Sequence, residues 1–249
     1  MLTVEVILPL YRPKDGWAAH VLEGIGGLRR FFENRANVSF TIVNDGSDLS
    51  FFPEDILVKL RAEAGKFQFY TYSPNRGKGY SLRYAVSRSK ADLILYTDGD
   101  FPFGWHGIAD AFEKLANGAD TVMGIRSSAY GKALSPERRR ISSAVRVMNR
   151  LLLGLPDRYL DTQAGLKGFN RRGKQAFLAA KTETFLFDTE FILIAWRSGL
   201  AIETIPLLLR SGLHFSRMGM KVLFRELFQF VRILWENRVR KCKLPEFSE

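Results

Sequence analysis

Short apolar segments alternate with helical segments through the first half of the chain, and this alternation restricts the fold more than any other feature. Five segments rich in β-branched or aromatic residues are brief and bounded by Gly, Pro, Asn or Asp, which is typical of buried strands. They cover 4–9, 40–44, 67–73, 93–97 and 121–124. Helices are predicted between them, over 17–33, 53–64, 80–89 and 105–117. The repetition predicts an α/β fold whose mostly parallel sheet carries helices on both faces.

The second half of the chain adds further helices and two more strands. The pattern predicts a basic helix over 136–153, a polar turn over 159–165, a strand over 166–169 and a helix from Arg171. A helix over 188–197, a strand over 202–207 and a long helix over 218–243 follow. A chain of 249 residues suits one large α/β domain. We expect a main part over 1–217 and a C-terminal amphipathic helix and tail over 218–249, both belonging to the same domain.

The chain carries a large positive charge, because 37 Lys and Arg residues outnumber 26 Asp and Glu residues and leave a net charge of +11. Such a surplus implies anionic partners, namely nucleic acid, phosphorylated ligands or an acidic membrane surface. Zinc-finger spacing, a recognition-helix pattern and an RNP-like aromatic strand are all missing from the sequence. We therefore expect no nucleic acid partner and favour phosphorylated ligands and a membrane.

The compartment is predicted from what the sequence does not contain. One cysteine, Cys242, excludes an internal disulfide framework and suits a reducing compartment. The N-terminus has no basic leader and no small-residue cleavage site, and no apolar stretch approaches the length of about 18 residues that a spanning helix needs. These features predict a cytoplasmic protein that lies on the cytoplasmic face of a membrane.

Polar residues gather directly after the first four predicted strands. The four segments are 9–11 (Pro-Leu-Tyr), 44–48 (Asn-Asp-Gly-Ser-Asp), 75–79 (Asn-Arg-Gly-Lys-Gly) and 98–100 (Asp-Gly-Asp). Ligands of open α/β sheets bind beyond the carboxyl ends of the strands. The four segments therefore predict a single site at that edge of the sheet.

Two of these segments suggest specific chemistry. Asp98 and Asp100, separated by one glycine, can face one hard cation such as Mg²⁺ or Mn²⁺, which bridges protein carboxylates to substrate phosphates. An Asp-Gly turn that only closes a strand is the alternative. The glycine-rich turn before residue 80 offers main-chain N–H groups and Lys78 to an anion, although a solvated turn also explains it.

The order of the four segments resembles the family 2 inverting glycosyltransferases of the GT-A fold, which is a Rossmann-like α/β fold. Three later segments are similar to the branch that contains dolichyl-phosphate mannosyltransferase and polyprenyl-phosphate glucosyltransferase. They are 124–127 (Gly-Ile-Arg-Ser), 161–169 (Asp-Thr-Gln-Ala-Gly-Leu-Lys-Gly-Phe) and 187–190 (Phe-Asp-Thr-Glu). The resemblance implies an inverting transfer of a hexose from a UDP- or GDP-sugar to polyprenyl or dolichyl phosphate, by a GT-A domain over 1–217.

The resemblance also implies roles for individual residues on the donor side of the site. The residues that would contact the nucleotide sugar are Pro9, Tyr11, Asp45, Lys78 and Asp98. Asp98 and Asp100 would hold Mg²⁺ or Mn²⁺ on the diphosphate. The sequence departs from the family at Arg12, where an acidic residue is usual, and at Pro102, where the branch often has a metal-contacting Gln. The third metal ligand is therefore left open between His214 and water.

On the acceptor side, the resemblance places Arg126 and Arg217 near the acceptor phosphate. A lipid phosphate monoester has a second pKa of about 6 and attacks without losing a proton, provided that arginines offset its repulsion from the donor diphosphate. A sugar hydroxyl would need a general base instead, and the candidates are Asp161 and Asp188. With Arg126 they form the predicted catalytic set. The alternatives are a family 2 transferase that acts on a sugar hydroxyl and a basic nucleic-acid- or membrane-binding protein without enzymatic activity.

The predicted final helix carries charged residues at spacings of four or seven, which places them along one stripe. They are Lys221, Arg225, Arg232, Glu236 and Arg240. Its other faces hold Phe, Leu, Ile and Trp, and a basic amphipathic helix of this kind is typical of a membrane-surface element. Packing against the sheet is the alternative for part of it. The basic helix over 136–153 has a similar composition, so we expect a membrane surface, and with it a membrane-embedded protein, among the partners.

Overall fold

A seven-stranded sheet forms the centre of the protein. The computed structural model describes residues 1–126, 136–208, 210 and 228–235. The strands are β1 (Leu2–Leu10), β2 (Ala36–Asp45), β3 (Phe67–Tyr72), β4 (Leu93–Tyr96), β5 (Thr121–Arg126), β6 (Lys167–Phe169) and β7 (Ile202–Leu207). Their order in the sheet is β3-β2-β1-β4-β6-β5-β7. Among these strands β6 alone is antiparallel to its neighbours.

Helices cover both faces of this sheet. They are α1 (Trp17–Phe32), α2 (Glu54–Ala64), α3 (Lys78–Val86), α4 (His106–Ala116), α5 (Pro136–Leu151), α6 (Arg171–Ala179) and α7 (Phe187–Arg197). One apolar cluster joins α1, α2 and α4 to one face of the sheet. A second cluster joins α3, α6, α7 and the helical segment 228–235 to the other face. Alternate residues of β1 enter different clusters, Val6 the first and Ile7 the second, as the period of a strand requires.

The predicted elements agree with the observed ones, and the predicted α/β fold with helices on both faces is confirmed. The differences are at the ends. The third helix begins at Lys78 rather than at residue 80, directly after Gly77, whose φ of 102° is accessible to glycine. Two short 3-10 turns, Leu49–Phe51 and Asp157–Tyr159, have too few residues to show a period and were not predicted. Of the predicted helix over 218–243, only 228–235 lies within the described residues.

The direction of β6 decides which segments reach the site. β1 is parallel to β2 and β4, and β5 runs in the same direction as β4 because both are antiparallel to β6, which lies between them. The carboxyl ends of these four strands therefore lie at one edge of the sheet. At that edge β6 presents its amino end, so the turn 161–166 that precedes it stands beside the ends of β4 and β5. Across the described residues, no helix combines the length and the apolar character that crossing a membrane requires.

Candidate functional site

A cavity of about 440 Å³ opens at the carboxyl edge of the sheet, between the ends of β1 and β2 and the start of α3. Pro9, Tyr11, Asp45 and Lys78 line it together. The ammonium of Lys78 forms an ion pair with Asp98 Oδ1, which brings the end of β4 to the same place. The structure thus assembles the residues that the sequence predicts as nucleotide-sugar contacts.

Asp45, at the end of β2, uses both carboxylate oxygens on protein donors. Oδ1 accepts from the Tyr72 hydroxyl at 2.8 Å and from the main-chain N of Arg76 at 2.9 Å. Oδ2 accepts from Asn75 Nδ2 at 2.8 Å and from the main-chain N of Gly77 at 2.9 Å. Burial and the bond to Asp45 raise the pKa of Tyr72 above its usual value, so Tyr72 remains the donor. Asp45 therefore fixes the loop that forms one wall of the cavity.

Asp98 and Asp100 follow β4 and keep their carboxylates accessible. The Asp98 side chain is 42% exposed despite its ion pair with Lys78, and Asp100 is exposed. The pKa of the Asp100 carboxyl is raised, because neighbouring groups displace part of its water and because the charge of Asp98 lies beside it. Two accessible carboxylates that repel each other fit a hard divalent cation.

The remaining ligands of such a cation would come from elsewhere. In the part of the chain that the structure describes, no group of three or more His, Cys, Asp or Glu side chains could hold a metal. A Mg²⁺-like ion that binds through one or two carboxylates fills its other positions with water and substrate phosphates. His214, the predicted alternative, lies outside the described residues, as does Arg217.

The turn 161–166 packs directly against the end of β4. A Cβ atom on Gly165 would lie 2.0 Å from Asp98 Oδ2, so any other residue here would push the Asp98 carboxylate out of its position. The close approach connects the predicted metal-binding end of the site to the segment that carries Asp161.

Arg126, the last residue of β5, forms a bidentate ion pair with Asp161. Its main-chain N donates to Asp161 Oδ2 at 2.7 Å, its Nε donates to Oδ1 at 2.9 Å, and its Nη2 reaches Ser142 Oγ at 3.1 Å. The two side chains are 10% and 7% exposed. Burial alone would raise the pKa of Asp161, but the hydrogen bonds and charge of Arg126 outweigh it and hold this pKa below its usual value.

Asp188 lies in the first turn of α7 and is also paired. Its Oδ1 accepts from the Tyr96 hydroxyl and lies 3.2 Å from Lys167 Nζ. Both candidate bases, Asp161 and Asp188, are therefore buried beside a cation. Sequence reasoning assigned no role to Lys167; a lysine inside an otherwise apolar strand between Leu166 and Phe169 is the signal that marks it.

No protein-family model matches the chain. The chain is 23% identical over 223 residues to dolichyl-phosphate beta-glucosyltransferase of Saccharomyces cerevisiae, over 82% of this chain. It spans 66% of that relative, which is just under two thirds of its length.

Two solved structures share the fold. Glucosyl-3-phosphoglycerate synthase of Mycobacterium tuberculosis, in complex with Mn²⁺, UDP-glucose and phosphoglyceric acid, superimposes with a TM-score of 0.67 at 15% identity, covering 94% of this chain and 79% of that one. Mannosyl-3-phosphoglycerate synthase of Rubrobacter xylanophilus gives a TM-score of 0.64 at 19% identity, covering 99% and 78%. The chain has the GT-A fold of the family 2 glycosyltransferases.

Two positions on the donor side, Arg12 and Pro102, depart from the family pattern, and their contacts are as follows. Arg12, at the position where the family usually has an acidic residue, donates its main-chain N–H to Ser47 Oγ at 2.8 Å. Its guanidinium carbon lies 5.3 Å from the centre of the Tyr11 ring, so it adds positive charge at the rim of the cavity. Pro102 accepts at its carbonyl from the main-chain N of Arg210 at 2.9 Å and supplies no side-chain ligand.

Proposed function

We propose that this protein is a metal-dependent inverting glycosyltransferase that moves a hexose from a UDP- or GDP-sugar to a polyprenyl phosphate on the cytoplasmic face of a membrane. The observation that carries the proposal is the accessible pair Asp98 and Asp100 beside a cavity that also holds Lys78. Carboxylates alone would repel a nucleoside diphosphate, so this arrangement suits a site that binds the diphosphate together with a divalent cation.

On the donor side, Asp98 and Asp100 would hold Mg²⁺ or Mn²⁺. When bound, the cation stabilises the negative charge that the diphosphate gains as it leaves. Lys78 adds a positive charge next to Asp98, and the loop fixed by Asp45 shapes the wall against which the nucleoside rests. The relative that was solved with Mn²⁺ and UDP-glucose supports this assignment.

On the acceptor side, Arg126 would lie near the acceptor phosphate, with Arg217 as a further contact. An oxygen of the phosphate dianion attacks the anomeric carbon, and the bond from that carbon to the diphosphate oxygen breaks with inversion. The acceptor needs no general base, because it is already ionised at neutral pH. We propose that Asp161 orients Arg126 and that Asp188 neutralises Lys167, since each carboxylate is paired and the pKa of Asp161 is lowered.

A hydroxyl acceptor is the second candidate. The solved structures of similar fold are named as synthases of sugar-phosphoglycerates, and one of them contains phosphoglyceric acid. The yeast relative is named for a dolichyl-phosphate acceptor. Two features favour the lipid phosphate. Asp161 and Asp188, the candidate bases, are each paired with a cation, and apolar side chains are exposed on the helical segments.

Membrane residence is part of the proposal. In 228–235, Phe230 and Ile233 are buried, whereas Phe228, Val231 and Trp235 are more than half exposed along one stripe of the helix. This helix therefore both packs on the core and presents apolar surface. In α5, the exposed Val147 and Leu151 stand beside Arg146 and Arg150. Basic and apolar residues together suit an anionic membrane surface, where a membrane-embedded partner protein would also be met.

The deciding experiment measures UDP or GDP release from a panel of nucleotide sugars, with polyprenyl phosphate, unphosphorylated polyprenol or 3-phosphoglycerate as acceptor. We expect release that depends on Mn²⁺ or Mg²⁺ and on polyprenyl phosphate. Comparable turnover with polyprenol or with 3-phosphoglycerate would establish the hydroxyl acceptor instead. Absence of release with every donor and acceptor would contradict the enzymatic proposal.

A further inference from the structure

A fully buried lysine lies directly beneath the site. Lys167, in β6, is 0% exposed. Its Nζ donates to the carbonyl oxygens of Thr162 at 2.8 Å and Ala164 at 2.7 Å, and it lies 3.2 Å from Asp188 Oδ1. An ammonium group has three donors, and all three have partners here.

Packing alone does not explain this residue. Burial lowers the pKa of Lys167, with the charge of Asp188 opposing that effect. An apolar side chain of similar volume often fills such a position with equal or greater stability, so a buried charge pair is weak evidence for a purely stabilising role. Its two bonds to main-chain carbonyls instead fix a particular conformation of the turn 161–166.

This turn joins the two sides of the site. At its start, Asp161 holds Arg126 through the bidentate ion pair. Near its end, Gly165 packs against the Asp98 carboxylate without room for a Cβ atom. The carbonyls of Thr162 and Ala164, which accept from the Lys167 ammonium, lie between these two contacts along the chain.

We propose that Lys167 is a positioning residue, which fixes the turn 161–166 and so sets the spacing between Arg126 on the acceptor side and Asp98 on the donor side. Lys167 lies below the turn and acts through it. The expected loss of kcat rests on the proposed glycosyl transfer, whereas the expected loss of order in the turn 161–166 does not.

The test compares Lys167→Met with a matched control, Lys174→Met. Lys174 is also a lysine with a lowered pKa whose Nζ donates to a main-chain carbonyl, that of Ser89 at 2.6 Å, but it lies in α6 away from the cavity. We expect Lys167→Met to lower kcat by about 10- to 100-fold, with the Kd for the nucleotide sugar changed by less than about 3-fold, as a displaced but intact site predicts. Lys174→Met should leave kcat within about 2-fold of the wild type. A folded Lys167→Met variant with wild-type kcat would overturn the proposal.

A second variant covers the case in which Lys167→Met does not fold, since that change leaves the Asp188 carboxylate buried without its cation. Lys167→Met with Asp188→Asn removes both charges and is compared with Asp188→Asn alone. We expect the double variant to lose about a further 10-fold in kcat, because the carbonyls of the turn have lost their donor in either background. Equal kcat values for the two variants would refute the positioning role.

Amide hydrogen exchange across 161–166 separates this inference from the proposed function, because it needs neither donor nor acceptor. We expect faster exchange there in Lys167→Met, or in the double variant relative to Asp188→Asn, and no change in Lys174→Met. Failure of the wild type to use polyprenyl phosphate would overturn the proposed acceptor and leave this result standing. Unchanged exchange would overturn the inference about Lys167, whichever acceptor the wild type uses.

Discussion

At the end of β4 the Asp98 side chain is 42% exposed and Asp100 is exposed, whereas at the end of β5 Arg126 and its partner Asp161 are only 10% and 7% exposed. The two strand ends stand at the same edge of one sheet, on either side of β6. On the donor side the carboxylates repel each other, and the pKa of Asp100 is raised. On the acceptor side the carboxylate is neutralised by arginine, and the pKa of Asp161 is lowered.

The difference shows that carboxylates at one edge of the sheet occupy two distinct environments, one accessible to solvent and one buried against an arginine. An accessible pair of carboxylates, of which Asp98 alone has a lysine partner, can take up a cation from solution and lose it again. A buried carboxylate with a permanent bidentate partner holds that partner in one orientation. The donor side is therefore suited to exchange of ligands, and the acceptor side is suited to keeping a fixed shape.

The largest effect should come from breaking the buried pair on the acceptor side. Asp161→Asn or Arg126→Met leaves one charge or its hydrogen-bonding partners unsatisfied in the interior, and each should lower the free energy of unfolding by about 3–5 kcal/mol. The exposed pair Arg76 and Glu183, near the donor cavity, provides the control. Arg76→Met or Glu183→Gln should change stability by about 0–1 kcal/mol. Urea denaturation measures the free energy of unfolding of all four variants. Equal losses of stability at the buried and the exposed pair would contradict the difference drawn between them.

The next effect concerns the exposed carboxylates of the donor side. Asp100→Asn should lower the rate of transfer by about 100-fold with little loss of stability, because it removes a charge that serves the bound diphosphate rather than the fold. A chelator should abolish wild-type activity, and Mn²⁺ or Mg²⁺ should restore it. Asp110→Asn, an exposed carboxylate in α4, is the control. Full activity of Asp100→Asn in chelator would show that this pair holds no metal.

Acid should affect the buried pair through the lowered pKa of Asp161. Because the folded-state pKa lies below the unfolded value of about 3.9, the ion pair stabilises the protein fully above that value. The stabilisation is lost as the pH falls through the lower, folded-state pKa. The stability difference between wild type and Asp161→Asn should therefore be constant from about pH 7 to 5 and shrink below about pH 4. A difference that already shrinks near pH 6 would contradict the lowered pKa.

The rate of transfer should respond to a different ionisation. With polyprenyl phosphate as acceptor, it should fall about tenfold for each pH unit below about 6, following the second ionisation of the phosphate. Asp161 and Asp188 variants should not shift that midpoint. If the pH midpoint of the rate shifts in an Asp161 or Asp188 variant, that carboxylate acts as the general base, and a hydroxyl acceptor is favoured.

The smallest effect is expected at the outer surface. Replacing Phe228 and Trp235 together by Ser should weaken binding to anionic vesicles by about 3- to 10-fold and leave turnover of a short-chain acceptor unchanged. Val58→Ser, which changes another apolar side chain more than half exposed, on α2, should have no effect on vesicle binding. Flotation at low salt, where surface electrostatics are strongest, measures the difference. Equal binding of wild type and double variant would exclude this stripe from the membrane contact.

Much of the fold could be predicted, because its signals are local. The period of the strands and helices identified the elements, and the rule that ligands bind beyond the carboxyl ends of strands brought Pro9, Asp45, Lys78 and Asp98 to one edge. Pro9, Asp45 and Lys78 line one cavity, and the ion pair of Lys78 with Asp98 brings the fourth residue beside it, in agreement with that expectation.

The pairing of charges could not be predicted, because it depends on register between distant strands. Arg126 and Asp161 meet only because β6 enters the sheet beside β5, and a strand of three residues carries no sign of its direction. Asp45 was expected at the nucleotide, yet its oxygens are taken by donors some 30 residues away, in the loop after β3. Residue types at strand ends predict which groups are near a site, and only the assembled backbone decides which of them are neutralised.

The position of β6 also has a consequence for the order in which the molecule is built. In the described sheet, β5 pairs with β6 and β7 and has no ladder with β4. The strands β1 to β4 can therefore pair with one another as soon as the first hundred or so residues leave the ribosome, since the ladders among these four strands need no later segment. β5 has to wait until the chain has been made through Lys167–Phe169, and until then β4 is an open sheet edge of the kind that pairs wrongly with other chains. A nascent chain would thus hold the ends of β1, β2 and β4, the proposed donor side of the site, next to one another well before Arg126 is joined to the sheet.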